Sequence, residues 1–197
     1  MKWYVVHVMT GAEQDVQKKL SNLGVTALVP IGTLQERKDR RWVDTQRVLL
    51  PGYVFVETEL APRTYYTIRG VPGVMRFLGL SPGVPSSVPL QEMEPWLILG
   101  NNGQPLDIAN GIRDLGGFTV ITSGPLAKLS HQLTEVDARQ RRAKLKLYIQ
   151  DKTYEVTIGI KVTNKSSASD PADEQSPCET MHEQNGSKNQ TVMEKTG

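Results

Sequence analysis

Residues 48–56, Val48-Leu49-Leu50-Pro51-Gly52-Tyr53-Val54-Phe55-Val56, decide how this chain is interpreted. An apolar strand enters a Pro-Gly turn and leaves as Tyr-Val-Phe-Val, where apolar residues follow one another without a break. Because the side chains of a strand point alternately to its two faces, one buried face cannot cover such a run. The stretch therefore predicts a turn between two strands, with apolar surface that strand burial alone does not explain.

The sequence on either side of this turn predicts a small α+β domain over residues 1–100. Strand-like and helix-like periods alternate along it. The predicted strands are 2–8, 25–31, 42–50, 52–59 and 74–78, and the predicted helices are 12–23, 61–69 and 89–99. The charged residues 35–41 are predicted as a loop or a hairpin tip. This order favours a mostly antiparallel sheet with flanking helices.

The rest of the chain differs from residues 1–100 in composition and in hydrophobic pattern. Residues 101–115 are rich in Asn, Gly and Pro and are predicted as a linker. Four short strand-like segments follow, at 118–121, 132–136, 143–149 and 153–160, and they predict a small all-β barrel over residues 116–162. Residues 163–197 hold almost no large apolar side chains and are predicted to be a disordered tail.

The composition favours an intracellular, cytoplasmic protein without a membrane segment. No apolar run approaches the roughly 18 residues that a membrane span needs. The first ten residues are too polar and too short in apolar content for a secretory signal, and they are predicted as a strand. The only cysteine, Cys178, lies in the polar tail, so an internal disulfide framework is excluded.

The sequence holds no constellation for bond chemistry, so we expect no enzyme, no cofactor and no metal site. It has no Gly-rich phosphate loop, no paired-carboxylate site and no zinc-ligand spacing. His7 and His131 stand alone and are interpreted as structural, and nothing near Cys178 would activate its thiol.

Two basic segments are candidates for nucleic-acid contact. The first crowds the predicted hairpin tip with Arg37, Lys38, Arg40 and Arg41, followed by Trp42. Arginine offers a forked donor to phosphate and tryptophan can stack on an exposed base. The alternative is a solvated loop, partly balanced by Glu36 and Asp39.

The second basic segment lies in the barrel. It consists of Arg139, Arg141, Arg142, Lys144 and Lys146. Strand alternation places Arg142, Lys144 and Lys146 on one face and Ala143, Leu145 and Leu147 on the other. The pattern is typical of an exposed strand face, and RNA binding is the second hypothesis for it.

Several segments together resemble the NusG family of bacterial transcription factors. Trp3-Tyr4-Val5-Val6 with Gly11-Ala12-Glu13 is similar to the opening of that family's N-terminal (NGN) domain, and residues 50–56 resemble its central signature. Val71-Pro72-Gly73-Val74 with Phe77-Leu78-Gly79 is similar to the segment after the second helix. Gly124-Pro125-Leu126-Ala127 and Glu135-Val136-Asp137 resemble the KOW motif of the C-terminal barrel.

The resemblance implies that the chain binds RNA polymerase. It places Trp3, Leu50 and Tyr53 at or near the apolar depression that takes the clamp helices of the largest polymerase subunit. The alternative is that they are ordinary core residues, with Trp3 supporting the surface from beneath; Tyr53 is the favoured contact, because its ring can cover apolar area while its hydroxyl stays in water. The resemblance also implies a nucleic-acid partner, either an RNA hairpin or non-template DNA, at the basic hairpin. We expect a monomer that acts by binding alone.

Two departures from the family pattern favour a specialised paralogue, similar to RfaH or LoaP. His131 stands where the KOW motif usually has glycine, and Ile149-Gln150-Asp151 replaces a Phe-Gly turn at the partner-binding edge of the barrel. The change puts Rho binding in doubt, while Ile149 remains a candidate contact for a ribosomal protein. The expected function is therefore antitermination at particular operons. The alternatives are a general elongation factor that couples polymerase to Rho or the ribosome, and a ribosome-associated KOW protein that binds RNA.

Overall fold

The computed structural model describes residues 1–79, 83–113 and 119–164. Its strands are β1 (Lys2–Val8), β2 (Thr26–Leu28), β3 (Ile31–Lys38), β4 (Arg41–Val48), β5 (Tyr53–Thr58), β6 (Val74–Phe77), β7 (Ala109–Arg113), β8 (Thr119–Ser123), β9 (Leu133–Asp137), β10 (Arg142–Ile149) and β11 (Lys152–Asn164). Its α-helices are α1 (Glu13–Asn22), α2 (Pro62–Arg69) and α3 (Leu90–Gly100). The result is an arrangement of mixed sheets with a few helices.

The N-terminal half is built on a four-stranded antiparallel sheet in the order β2-β5-β1-β6. In its centre Val5 lies opposite Phe55 and Val6 opposite Val54, and all four side chains are fully buried. Burial of three successive residues, Val54 to Val56, explains why this part of β5 lacks alternation, because both faces of the strand are covered here. Val16 and Leu20 of α1 cover one face.

The basic hairpin β3–β4 forms a two-stranded sheet of its own. It is longer than predicted, because residues 35–38 and 41 belong to the strands and pairing continues to Lys38 opposite Arg41. Asp39 and Arg40 alone make the turn, with φ of 48° and 65°. Two successive positive φ values give the twist that a two-residue hairpin turn needs.

The C-terminal half is a five-stranded sheet in the order β8-β7-β11-β10-β9. Two predicted boundaries are corrected here. Strand β7 occupies part of the predicted linker 101–115, since it pairs with β8 and, in parallel, with β11. Strand β11 continues to Asn164, two residues into the predicted tail, because those residues complete the pairing with β7.

The two halves share one hydrophobic cluster. It joins Phe55 of β5 and Trp96 of α3 to Leu147, Ile149 and Ile158 of the barrel strands, and all five are at most 1% exposed. The alternation predicted for β10 is confirmed, since Ala143, Leu145 and Leu147 are buried while their neighbours are not. The buried face of β10 therefore faces a core that includes the N-terminal domain.

Beyond Asn164, the predicted disorder of the tail and the assignment of Cys178 lie outside the described residues. None of the helices described is both long enough and apolar enough to cross a membrane.

Candidate polymerase-docking face and nucleic-acid groove

The three residues predicted to meet the polymerase lie next to the barrel. Leu50 is only 4% exposed and belongs to the cluster shared with Ile149. Tyr53 and Trp3 are half-buried and pack against the same cluster. We define Trp3, Leu50 and Tyr53 as the predicted docking face. In this arrangement, which we call closed, the face packs against the apolar cluster that the two halves share, and Tyr53 meets Tyr154 of the C-terminal half.

A buried carboxylate positions the turn that carries Leu50 and Tyr53. Gly52 has φ of 84°, which favours glycine, and its N–H donates to Glu13 Oε1 at 2.7 Å. The same carboxylate accepts from the Gly11 N–H at 2.9 Å, and Glu13 is only 3% exposed. Such a charge-assisted pair of bonds satisfies groups that burial would otherwise penalise. Glu13 therefore holds the start of β5 against the start of α1.

The hairpin end of β10–β11 is hydrogen bonded to the N-terminal half at three points. The Trp96 Nε1–H donates to the Tyr148 carbonyl at 3.1 Å. The Gln150 N–H donates to Glu92 Oε2 at 2.7 Å, and the Gln150 side-chain amide donates to the Ser86 carbonyl at 2.6 Å. These bonds surround Ile149, which is fully buried. Ile149, predicted as a partner contact, is thus inaccessible in the closed arrangement.

A pair of tyrosines also crosses between the halves. The rings of Tyr53 and Tyr154 are 5.6 Å apart and nearly perpendicular. Burial, and after it the hydrogen bond with Tyr53, raises the pKa of Tyr154 to about 12. The tyrosine pair therefore favours the closed arrangement while the Tyr154 hydroxyl is protonated.

The two basic segments, predicted separately, meet in the fold. The guanidinium of Arg141, on the turn between β9 and β10, lies 4.4 Å from the centre of the Trp42 ring on β4. Arg141 Nη1 also donates to Gln35 Oε1 at 2.5 Å. Trp42 nevertheless remains 37% exposed. Cation–π stacking of this kind joins the hairpin to the barrel.

A groove runs beside this contact, and we call it the seam groove. It is lined by Gln35, Glu36, Arg37, Trp42, Arg139, Gln140 and Arg142. Glu36, its only acidic side chain, is held by Arg47 at 2.9 Å, and this hydrogen bond first of all lowers the pKa of Glu36. The floor of the groove therefore keeps a net positive charge.

The remaining predicted cations lie apart from the groove. Lys38, Arg40 and Arg41 are exposed at the hairpin tip, and Lys146 is exposed on β10. Lys144 pairs with Glu135 at 2.9 Å and Glu155 at 3.7 Å, and the bond to Glu135 is the first cause of its raised pKa. The positive charge of Lys144 is thus largely balanced by these two carboxylates within the barrel.

Sequence reasoning missed the residues that close the molecule, namely Glu92, Trp96, Gln150 and Tyr154. Helix α3 carries apolar residues at many positions, so its sequence does not reveal that Trp96 is fully buried while Leu90 is 71% exposed. Within the described ranges, no group of His, Cys, Asp and Glu side chains could hold a metal ion.

A four-stranded sheet with helices, packed through a shared apolar cluster against a five-stranded sheet, is the arrangement that the comparisons with known proteins place in a class of transcription factors. The family profile described as "NusG: Transcription termination factor nusG" matches residues 1–97. Among solved structures, "Domain interaction in Thermotoga maritima NusG" aligns with a TM-score of 0.51 and 30% identity over 80% of this chain and 93% of that one.

Curated relatives agree with this class. The transcription termination/antitermination protein NusG of Rickettsia bellii is 24% identical over 84% of this chain and 90% of its own length. The protein of the same description from Helicobacter pylori (strain ATCC 700392 / 26695) is 28% identical over 76% of this chain and 89% of its own length. The chain belongs to the NusG family. Proteins of this family are transcription factors and not enzymes, in agreement with the absence of catalytic motifs from the sequence.

Proposed function

We propose that this protein is an antitermination factor that binds RNA polymerase through Trp3, Leu50 and Tyr53, contacts nucleic acid, and suppresses pausing and termination at particular operons. The observation that carries the proposal is that the predicted docking face is apolar and packs against a cluster that includes the barrel strands, with Tyr53 in contact with Tyr154. Another apolar partner, such as the polymerase clamp helices, can cover this face in place of the barrel.

Docking on polymerase then requires the barrel to leave. Opening exposes Leu50 and Ile149, which are at most 4% exposed when closed. The free energy lost with this apolar contact, about 25 cal/mol per Å², is recovered when the polymerase covers the face. Binding to the elongation-competent polymerase alone would shift that enzyme away from paused states by the difference in affinity. The released barrel, still tethered, meets its own partner at raised effective concentration.

Two tyrosine variants test the docking face with opposite expected signs. Tyr53→Ala removes a docking residue, whereas Tyr154→Ala removes only the barrel side of the same contact. With purified core polymerase, Tyr53→Ala should weaken binding by about tenfold or more, as expected for an aromatic anchor. Tyr154→Ala should strengthen binding, because it destabilises only the closed form.

Tyr53→Ala also destabilises the closed form, and this effect alone would strengthen polymerase binding. Weaker binding by this variant is therefore a stringent criterion for the docking face. Tyr66, 71% exposed on α2, provides the control variant Tyr66→Ala. If Tyr53→Ala binds polymerase as well as the unchanged protein, the docking face is wrongly assigned. A readthrough assay on purified elongation complexes, with candidate leader RNA, then tests antitermination itself.

The second candidate is a general elongation factor that couples polymerase to Rho or to a ribosomal protein. It is favoured by the descriptions of the relatives, which combine termination with antitermination. Polymerase occupancy throughout the genome would favour this candidate, and occupancy confined to a few operons would favour the specialised factor. Co-purification with ribosomes but not with polymerase would instead favour a ribosome-associated protein.

A further inference from the structure

We infer that the seam groove is a binding site for single-stranded RNA that is complete only while the barrel covers the docking face. The inference deepens the proposed function, because it rests on nucleic-acid contact by this protein and adds where the contact lies and which conformation it selects. Neither basic segment forms this groove alone. The hairpin supplies Arg37 and Trp42, and the barrel supplies Arg139 and Arg142.

Arg141 fixes the two halves of the groove relative to each other. It occupies a left-handed backbone conformation, with φ of 58°, at the end of the β9–β10 turn. From there it stacks on Trp42 and donates to Gln35. Both partners belong to the hairpin and Arg141 belongs to the barrel. Because the contact crosses between domains, its geometry is lost when they separate.

The charges in the groove favour phosphate. Arg142 Nη1 is buried and has no hydrogen-bond partner among the described residues. An unpaired guanidinium N–H is costly when buried, and because Arg142 lines the groove, a small shift of its side chain would let a phosphate oxygen there accept this hydrogen bond. Glu36 does not oppose such a ligand strongly, since Arg47 already holds its carboxylate. Lys144, in contrast, is paired with two glutamates. A bound nucleic-acid strand would therefore run toward the hairpin rather than along β10.

The aromatic and amide groups favour an unpaired RNA strand over a duplex. Trp42 keeps an exposed part of its ring at the groove, and an indole can stack on a base that is not already stacked in a helix. Gln140 adds a side-chain amide at the groove, with both donor and acceptor. Such a group can pair with the 2′-hydroxyl that distinguishes ribose from deoxyribose.

Conformational coupling follows from this geometry. A strand that contacts both halves binds the closed form more tightly than the open form, so RNA stabilises closure. Since polymerase docking needs the open form, RNA and polymerase weaken each other's binding by the same factor. RNA would thus hold the factor in its closed state until the strand leaves the groove.

Gly159 of β11 allows the domains to be separated without altering any basic residue. A Cβ atom at this position would meet the Thr33 carbonyl oxygen and approach Leu34 Cα to 3.4 Å, and both belong to β3. The variant Gly159→Ala therefore wedges the barrel away from the hairpin. Thr153→Ala, at an exposed position on the same strand, is the matched control. Small-angle X-ray scattering of the full chain reports the opening.

RNA binding is measured by fluorescence anisotropy with a labelled oligouridylate, beside oligothymidylate of equal length and a DNA duplex. We expect Gly159→Ala, Arg37→Gln and Arg142→Gln each to weaken RNA binding by about tenfold, the scale of one charged hydrogen bond or phosphate contact. Thr153→Ala should bind RNA normally. Added RNA should reduce polymerase association of the unchanged protein, and less so that of Gly159→Ala.

The possible failures are distinguishable. If Gly159→Ala opens the molecule and still binds RNA normally, the site lies on the hairpin alone and the shared groove is overturned. The same conclusion follows if Arg142→Gln binds RNA normally while Arg37→Gln is impaired. If scattering shows that Gly159→Ala stays closed, the Arg37→Gln and Arg142→Gln variants test the shared groove instead. A single groove that binds one RNA strand per protein requires both variants to weaken that binding. Equal binding of oligothymidylate overturns the choice of RNA. Loss of polymerase binding with RNA binding intact contradicts the proposed function and leaves the groove standing.

Discussion

At the scale of single residues, Tyr154 shows how one side chain can report on closure. Its hydroxyl is half-buried beside Tyr53, and burial and this hydrogen bond raise its pKa to about 12. In an open molecule the pKa of Tyr154 returns to about 10, the ordinary value of tyrosine. The shifted pKa therefore contributes to the stability of the closed arrangement relative to the open one. This contribution is fully present below about pH 10 and is lost as the pH rises toward about 12.

We expect the tyrosinate absorbance titration to show one late-titrating tyrosine that Tyr154→Phe removes. The same pH window should favour opening, which scattering can follow, because only the open form gives up this proton near pH 10. Tyr66→Phe, at an exposed position, should leave the late step in place. A titration in which every tyrosine ionises near pH 10 would contradict the buried tyrosine pair.

Residue patterns predicted the barrel strand better than the closing contacts. The alternation from Ala143 to Leu147 has a period of two, and a strand with one buried face must show it. Trp96 could not be assigned a face in the same way, since apolar residues follow one another around α3. Ile149 continues the buried face of β10, so alternation alone would have predicted its burial, whereas the resemblance pointed to a partner contact.

At the scale of elements, β7 shows why an Asn-Gly pair misled the prediction of a linker. Gly111 lies inside this strand, and a Cβ there would lie 3.0 Å from Thr119 Cγ2 and 3.3 Å from Ile160 Cδ1. Glycine here permits the close approach of two neighbouring strands. The pairing partner, β11, is some fifty residues distant in sequence, and local composition carries no information about it.

The hairpin β3–β4 yields a prediction about its turn. Asp39 and Arg40 both have positive φ, a conformation that costs about 1 kcal/mol or more for residues other than glycine. Replacing the pair by Asn-Gly should raise the free energy of unfolding by about 1 kcal/mol and slow amide exchange in β3 and β4. Asp39→Asn alone is the control and should have the smaller effect. A lower unfolding midpoint in urea for the Asn-Gly variant would contradict the turn geometry.

At the scale of the whole molecule, closure decides which partner the protein can meet. The docking face and Ile149 are covered when the domains are together, while the seam groove exists only then. Under the proposed mechanism, the two sets of predicted residues therefore act in different states of one equilibrium. Sequence alone could place each residue on its segment but could not reveal how the segments meet, because the contacts between the halves join residues such as Glu92 and Gln150, 58 positions apart.

Glu92 offers the most direct control of that equilibrium. Its carboxylate accepts the Gln150 N–H at 2.7 Å, it does not line the basic groove, and its replacement by glutamine does not enlarge the side chain. A hydrogen bond to a charged group contributes about 1.5–3 kcal/mol. We therefore expect Glu92→Gln to raise the open fraction about tenfold or more, to speed exchange of the Gln150 amide equally, and to strengthen polymerase binding while the closed form still dominates.

Glu94→Gln, two residues along the same helix at an exposed position, changes the charge by the same amount and is the matched control. It should leave both amide exchange and polymerase binding unaltered. If Glu92→Gln speeds exchange at Gln150 but polymerase binding does not rise, opening is not what limits docking, and the barrel does not compete for the docking face. If both rise together, a single opening step links them, since exchange and docking then draw on the same open population.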